Sequence, residues 1–253
     1  MTVTATIQAR TGSSRLPGKV LLPILGKPML ELQIERIRRS RLVDRVVLAT
    51  SVEPQDDPLE ALAKKMGIGC FRGSETDVLS RVAGALKASG GELHAEFFGD
   101  SPLPDPLLVD QFIGYFLQHS DRYDVVTNAL KTTYPPGLEV TVYPSRLLFD
   151  AERSARSPEE REHVSLAILG RPQRHRICNL EAPPEFHQPE LYLEVDTRED
   201  FEVVSAVYEH FYPRDPRFGL AEILEFMKKH PELAERNRNV ERRWKAYRKE
   251  AVG

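Results

Sequence analysis

Residues 1–30 constrain this chain more than any other stretch. A β-rich run, Thr2 to Ile7, passes into a loop carrying Arg10, Gly12, Arg15, Gly18 and Lys19, and an amphipathic helix begins near Met29. Glycines let a backbone turn tightly and aim its N–H groups at a ligand, while guanidinium and ammonium groups supply the charge that a polyphosphate needs. The loop therefore reads as an anion cradle with a nucleoside triphosphate as the favoured ligand; the alternative is an ordinary strand-to-helix turn with basic residues on its surface. Five residues separate Gly12 from Gly18 and Val20 follows Lys19, so the stretch is not a Walker A loop, which needs four residues and a Ser or Thr. The fingerprint GxGxxG is absent too, which argues against a nicotinamide or flavin Rossmann enzyme.

The same alternation continues. Leu30, Ile34 and Ile37 share a helical face, Val46 to Thr50 reads as a buried strand, Pro58 opens a helix with Leu59, Leu62 and Met66 on its apolar side, and Ile68 to Phe71 returns as a strand. Strands and helices alternating at this spacing predict an α/β fold with a mostly parallel sheet covered by helices on both faces. Ligands of such sheets collect beyond the carboxyl ends of the strands, which is where the next motifs fall. In RGSETDVLSRVAGAL, Ser74 three residues before Asp77 predicts a capping-box-like helix start. A strand ending at Phe98 is followed by Gly99 and Asp100, and Asp105 with Pro106 predicts the cap of a helix burying Leu108, Phe112 and Phe116. Asp100 is thus expected at the sheet mouth, either as a turn residue or as a ligand for a hard divalent cation, which takes one or two carboxylates plus phosphate oxygens and water.

Further on, Asp124 to Asn128 predicts a strand, and Leu138, Val140 and Val142 alternating with Glu139, Thr141 and Tyr143 predict another with one face toward solvent or ligand. Ser157, Pro158 and Glu160 form a capping box opening one helix through SPEEREHVSLAIL. His175 to Leu180 and Leu191 to Val195 are expected as the last strands; the second leads to Asp196 and a helix with Phe201, Val204, Tyr208 and Phe211 on one side, where Asp200 favours the helix N-terminus. The charged tail from Phe218 to Gly253 reads as a packed helix followed by a solvated one with no chemistry of its own.

A chain of 253 residues holds one large α/β domain, with or without a small appendage. The net charge of −3, with 29% charged residues of both signs mixed, gives no basic field for nucleic acid. Cys70 and Cys178 lie outside any CxxC, which predicts buried structural thiols and a reducing compartment. There is no signal-peptide pattern and no run of apolar residues long enough to span a bilayer, so a soluble, cytoplasmic protein without membrane partners is expected.

ARTGSSRLPGK, continuing as LLPILGKP, resembles the nucleotide-binding signature of the cytidylyltransferases that make CMP-activated sugar acids (the acylneuraminate and KDO type), in the branch of the spore-coat polysaccharide biosynthesis cytidylyltransferase. GSETDVLSR, GDSPLPDP, YPPGLEVTV, EREHVS and LEVDTREDF follow in the family's order, and the resemblance runs from Ala5 to about Pro231. It implies a Rossmann-like nucleotidyltransferase (GT-A-like) fold and Mg²⁺-dependent transfer of CMP from CTP to a nonulosonic or KDO-like sugar acid, releasing pyrophosphate, for surface polysaccharide biosynthesis. By the same resemblance Ala9, Arg10, Gly12, Ser13, Arg15, Lys19, Ser74, Asp77 and Arg81 bind nucleotide, with Lys19, Arg10 and Asp100 catalytic. Asp100 and Asp196 hold Mg²⁺, and Glu139, Arg161 and His163 bind the acceptor. A homodimer is implied, with a nucleotidyltransferase domain over 1–217, a dimerisation and acceptor subregion about 134–190, and a helical extension over 218–253. Glu96, Phe98 and Pro136 stand where relatives carry Arg, Thr and Asp, which bears on acceptor choice and activity. A sugar-1-phosphate uridylyl- or guanylyltransferase and a non-catalytic nucleotide-binding relative are the alternatives.

Overall fold

A computed structural model describes residues 1–245. The strands β1 (Val3–Gln8), β2 (Pro23–Ile24), β3 (Lys27–Pro28), β4 (Arg45–Ser51), β5 (Gly69–Gly73), β6 (Leu93–Phe98), β7 (Val125–Thr127), β8 (Thr141–Pro144) and β9 (Ile177–Asn179) alternate with helices through most of the chain. The helices are α1 (Met29–Ile37), α2 (Asp57–Met66), α3 (Val78–Ser89), α4 (Pro106–Gln118), α5 (Ser145–Ser154), α6 (Pro158–Glu162), α7 (Val164–Leu169), α8 (Arg198–Phe211), α9 (Leu220–Lys229) and α10 (Pro231–Asn237).

Seven strands form one sheet in the order β5-β4-β1-β6-β8-β7-β9, while β2 and β3 pair separately. β5, β4, β1 and β6 run parallel, β8 is antiparallel to β6 and β7, and β9 is parallel to β7. The mostly parallel sheet expected from the alternation is present. Alternate residues of β1 divide between two cores: Val3, Ala5 and Ile7 join the side packed by α1, α2, α4, α8 and α9, and Thr4 and Thr6 point to the side covered by α3, α5 and α7. Two buried polar pairs cross the sheet on that second side, Thr6 Oγ1 with His94 Nε2 at 2.7 Å and Tyr143 OH donating to Glu96 at 3.2 Å, while the Thr4 hydroxyl is buried without a partner among the described residues.

Several local expectations are corrected. Leu191–Val195 is buried but forms no strand, because its backbone bonds go singly to loops: Leu193 N–H to Pro136 O and Val195 N–H to Asp100 O. The stretch after Ser157 is two short helices broken at His163, whose φ of −111° and ψ of 94° leave the helical region. In 138–143 only β8 is strand, and both sides of it are buried: Val142 and Tyr143 are each 0% exposed. Asp77, not Ser74, caps α3; Ser74 Oγ accepts the Asp77 N–H at 3.0 Å. Both cysteines are half-buried, and burial pushes the Cys70 thiol up to about 11.

The tail also departs from its reading as solvated. Leu233 and Asn237 on α10 are buried, and past α10 the chain turns back so that Arg242 is buried as well. Residues 246–253 of that tail lie outside the described residues. Among the described residues no helix is long and apolar enough to cross a membrane.

Candidate active site

The loop after β1 is pinned at its neck. Thr11 donates its N–H and its hydroxyl to Asp56 Oδ1 at 2.8 and 2.7 Å, and Ser51 Oγ donates to Asp56 Oδ2. Burial pushes the Asp56 carboxyl up, but the hydrogen bonds from Ser51 and Thr11 outweigh it and hold it below its ordinary value. Gly18 then takes a left-handed conformation, φ 69°, and turns the chain into a single 3-10 turn, Lys19–Leu21. That turn carries the Lys19 side chain inward beneath the loop.

Lys19 is 8% exposed, and its Nζ donates to three oxygens: Val195 O at 2.7 Å, Asp196 Oδ1 at 3.0 Å and Asp100 Oδ2 at 3.1 Å. Desolvation pushes the ammonium down, and the charges of Asp100 and Asp196 more than reverse that, so its pKa stands above the ordinary lysine value. Asp196 is the counterpart: burial raises it, and Lys19 and Arg15 bring it below the ordinary carboxylate value. Arg15 Nη2 lies 2.6 Å from Asp196 Oδ2, completing a row of alternating charges, Arg15, Asp196, Lys19, Asp100, across the carboxyl end of the sheet. The parallel strands make this possible, since β1 and β6 end side by side with Gln8 opposite Phe98.

A second group of residues lies at the N-terminus of α3. Arg81 is 3% exposed and donates to Ser74 O at 2.6 Å and Glu75 O at 3.2 Å. Burial, with a contribution from the charge of Arg10, lowers Arg81 to about 10. Arg10 Nη1 reaches Glu75 O at 3.3 Å, and a Cβ on Gly12 would meet Glu75 Oε1 at 3.5 Å, so the first loop and the turn after β5 line one crevice. Ser13 and Ala9 belong to the same loop, with backbone bonds to Thr11 O and Ala49 O.

The three acceptor candidates are distributed. Arg161 Nη1 donates to Asp77 Oδ2 at 2.9 Å, which joins it to the α3 turn. His163 is the half-buried hinge between α6 and α7. Glu139 accepts the Gly137 N–H at 2.9 Å, and its charge adds to the burial that pushes Glu194 up to about 8, against the opposing effects of Trp244 and Arg242. Sequence reasoning did not find Asp56, Glu75, Glu194 or the tail residues. Asp56 precedes Asp57 and Pro58 and reads as a helix start, and nothing in the tail's charge pattern marks a residue for burial.

The chain as a whole is similar to known proteins. The cytidylyltransferase family model matches residues 4–209. The chain belongs to the cytidylyltransferase family. As a cytidylyltransferase it is a nucleotidyltransferase enzyme on a Rossmann-like fold. It is 38% identical over 233 residues to the spore coat polysaccharide biosynthesis protein SpsF of Bacillus subtilis, covering 90% of this chain and 95% of that one. It is 34% identical over 128 residues to the 8-amino-3,8-dideoxy-manno-octulosonate cytidylyltransferase of Shewanella amazonensis, covering 50% of this chain and 52% of that enzyme. The structure of a cytidylyltransferase from Leptospira borgpetersenii, 31% identical, superposes with a TM-score of 0.87 over 96% of this chain and 100% of that one.

For a divalent cation, the donor set at the sheet mouth fits. Asp100 and Asp196 already share one cationic centre, the Lys19 ammonium, and Asp100's side chain is 39% exposed. No group of three or more His, Cys, Asp or Glu suited to a metal occurs among the described residues. Two carboxylates completed by phosphate oxygens and water is the usual set for Mg²⁺.

Proposed function

We propose that this cytidylyltransferase transfers CMP from CTP to a sugar acid of the nonulosonic or KDO-like class, releasing pyrophosphate and supplying a CMP-sugar for surface polysaccharide. The observation that carries this reading is Lys19 held between Asp100 and Asp196 with Arg15 alongside, at the carboxyl end of the sheet. The name of the S. amazonensis relative supports the acceptor class, and that of the B. subtilis relative supports the polysaccharide destination.

The reaction is a displacement at the α-phosphorus, in which the acceptor hydroxyl forms the new P–O bond while the bond to pyrophosphate breaks. Charge grows on the attacking, bridging and leaving oxygens, so positioned cations rather than a protein nucleophile suit it. In this reading Lys19, Arg15 and Arg10 exchange carboxylate partners for phosphate oxygens when CTP enters. The turn holding Ser74, Asp77 and Arg81 borders the nucleoside, and Glu139, Arg161 and His163 serve the acceptor side. Asp100 and Asp196 would hold Mg²⁺, which supplies charge neutralisation at the α-phosphate and lowers the pKa of the acceptor hydroxyl. A homodimer in solution belongs to the same reading.

The test is pyrophosphate release with CTP, Mg²⁺ and each of three acceptors: 3-deoxy-manno-octulosonate, its 8-amino analogue and a nonulosonate. Release with one of them and not with UTP or GTP supports the reading. Selectivity for UTP or GTP with a sugar 1-phosphate would overturn it. Wild-type turnover in both Asp100→Ala and Asp196→Ala would remove the metal assignment.

A further inference from the structure

The C-terminal segment closes a ring of contacts with Arg15 and Asp196 of the alternating-charge row. Asp200 is 0% exposed and divides its two oxygens: Oδ2 accepts the backbone N–H of Asp196 at 3.0 Å and of Thr197 at 2.9 Å, and Oδ1 accepts Arg242 Nη2 at 2.7 Å and Asn237 Nδ2 at 2.9 Å. The Arg242 guanidinium, its side chain 1% exposed, lies over the Tyr192 ring at 4.2 Å and within 3.5 Å of Glu194 Oε1. Trp244 Nε1 donates to that same Glu194 oxygen at 2.6 Å. One residue before Arg242, the carbonyl of Glu241 accepts Arg15 Nη1 at 2.8 Å, and Arg15 Nη2 returns to Asp196. The circuit Arg15, Asp196, Asp200, Arg242, Glu241 is closed.

We propose that Arg242 is a positioning residue of the nucleotide site, and that the strap from Asn237 to Lys245 couples its own docking to the binding of CTP. The proposal rests on the CTP reading above. A helix cap alone needs only Thr197 and Asp200, which already form a capping box at α8. What Arg242 adds is a fixed orientation of the carboxylate behind Asp196 and, through Glu241, a grip on the phosphate-loop arginine. Buried charged partners of this kind specify geometry, because leaving one unpaired is costly. Coupling of binding sites is reciprocal, so a strap that favours CTP must be held more tightly once CTP is bound.

The experiment compares wild type, Arg242→Gln, Arg242→Lys, Arg15→Ala and the Arg15→Ala/Arg242→Gln double variant. CTP affinity is measured by calorimetry, and KM and kcat from pyrophosphate release. Arg242→Gln is expected to weaken CTP binding and raise its KM about tenfold, and by less than about twofold in the Arg15→Ala background, the signature of two residues acting through one route. Arg242→Lys, which keeps the charge on Asp200, is expected to recover part of the loss. An equal effect of Arg242→Gln in both backgrounds overturns the proposal. Should Arg242→Gln fail to fold, hydrogen exchange on the wild type decides: CTP with Mg²⁺ must slow exchange of the 237–245 amides, and unchanged exchange overturns the coupling. Trp244 is the chain's one tryptophan and reports the same docking through its emission. A wild type that binds no CTP defeats the functional reading and this proposal together. CTP binding that is indifferent to the strap defeats this proposal alone.

Discussion

Lys19 Nζ stands 3.0 Å from Asp196 Oδ1, and the two groups shift each other in opposite directions, the lysine above its ordinary pKa and the aspartate below. The same ammonium keeps Asp100 beside Asp196, so it neutralises what would otherwise be adjacent like charges. Lys19→Met removes both functions and is expected to lower turnover by about 10²- to 10³-fold, the usual loss for one preorganised donor at a reacting phosphoryl or acyl centre. Lys19→Arg is expected to restore little, because a planar guanidinium does not reproduce three short contacts from one nitrogen. Steady-state pyrophosphate release checks both; a Lys19→Met enzyme within tenfold of wild type would remove Lys19 from the chemistry.

Gly137 carries a loop packed closely against the backbone of Leu193 and Glu194. Its φ is +102°, and a Cβ there would lie 2.5 Å from Glu194 N and 2.6 Å from the Leu193 carbonyl carbon, both backbone atoms. Neither can swing aside as a side-chain tip can. Gly137→Ala is therefore expected to destabilise the fold by about 2 to 4 kcal/mol, combining left-handed strain with overpacking. Urea unfolding measures it, and a change under 1 kcal/mol would show that the 191–195 segment yields easily.

Asp100 was legible because it follows β6, whose end lies beside that of β1, whereas Arg15, Lys19 and Asp196 were singled out by their motifs and the resemblance those carry rather than by strand ends. Leu191–Val195 was misread as a strand: its apolar residues are buried, but against loops that offer single backbone bonds rather than a ladder. Periodicity reports burial and not who provides it. Arg242 shows the limit most sharply. A charged residue in a charged tail reads as solvated unless the carboxylates of Asp200 and Glu194 are known to face it. The break at His163 is likewise tertiary, since EREHVS has no glycine or proline to announce it.

Asp77 joins two segments at one carboxylate. It caps α3 through the Ser80 N–H at 3.0 Å and accepts Arg161 at 2.9 Å, both side chains of that pair being about 30% exposed. Asp77→Ala is expected to cost about 1 to 2 kcal/mol, most of it the cap, and Arg161→Ala under about 1 kcal/mol, as partly solvated pairs are weak. Asp77→Ser keeps a capping oxygen and is expected to recover most of the loss. Denaturant midpoints of the three variants separate the terms: an Arg161→Ala loss equal to that of Asp77→Ala would mean that the pair, not the cap, holds this turn.

His94, buried within the sheet, makes stability depend on pH. The ring is 0% exposed, bonded through Nε2 to Thr6 Oγ1 at 2.7 Å and set edge-on against Tyr143 with centroids 4.9 Å apart. Burial drives its pKa down from 6.5 to about 3. Below pH 6.5 the unfolded chain takes up a proton that the folded chain refuses until about pH 3, so the unfolded state binds more protons and stability falls as pH falls through this window. The slope approaches about 1.4 kcal/mol per pH unit, or roughly 2 to 3 kcal/mol lost between pH 6 and pH 4 from this residue. His94→Gln keeps a polar group for Thr6 without a titrating proton. Its unfolding free energy is expected to change less than that of wild type over the same interval, whatever the carboxylates common to both contribute. Parallel stability curves for the two proteins from pH 6 to pH 4 would mean that the buried ring accepts its proton without opening the sheet.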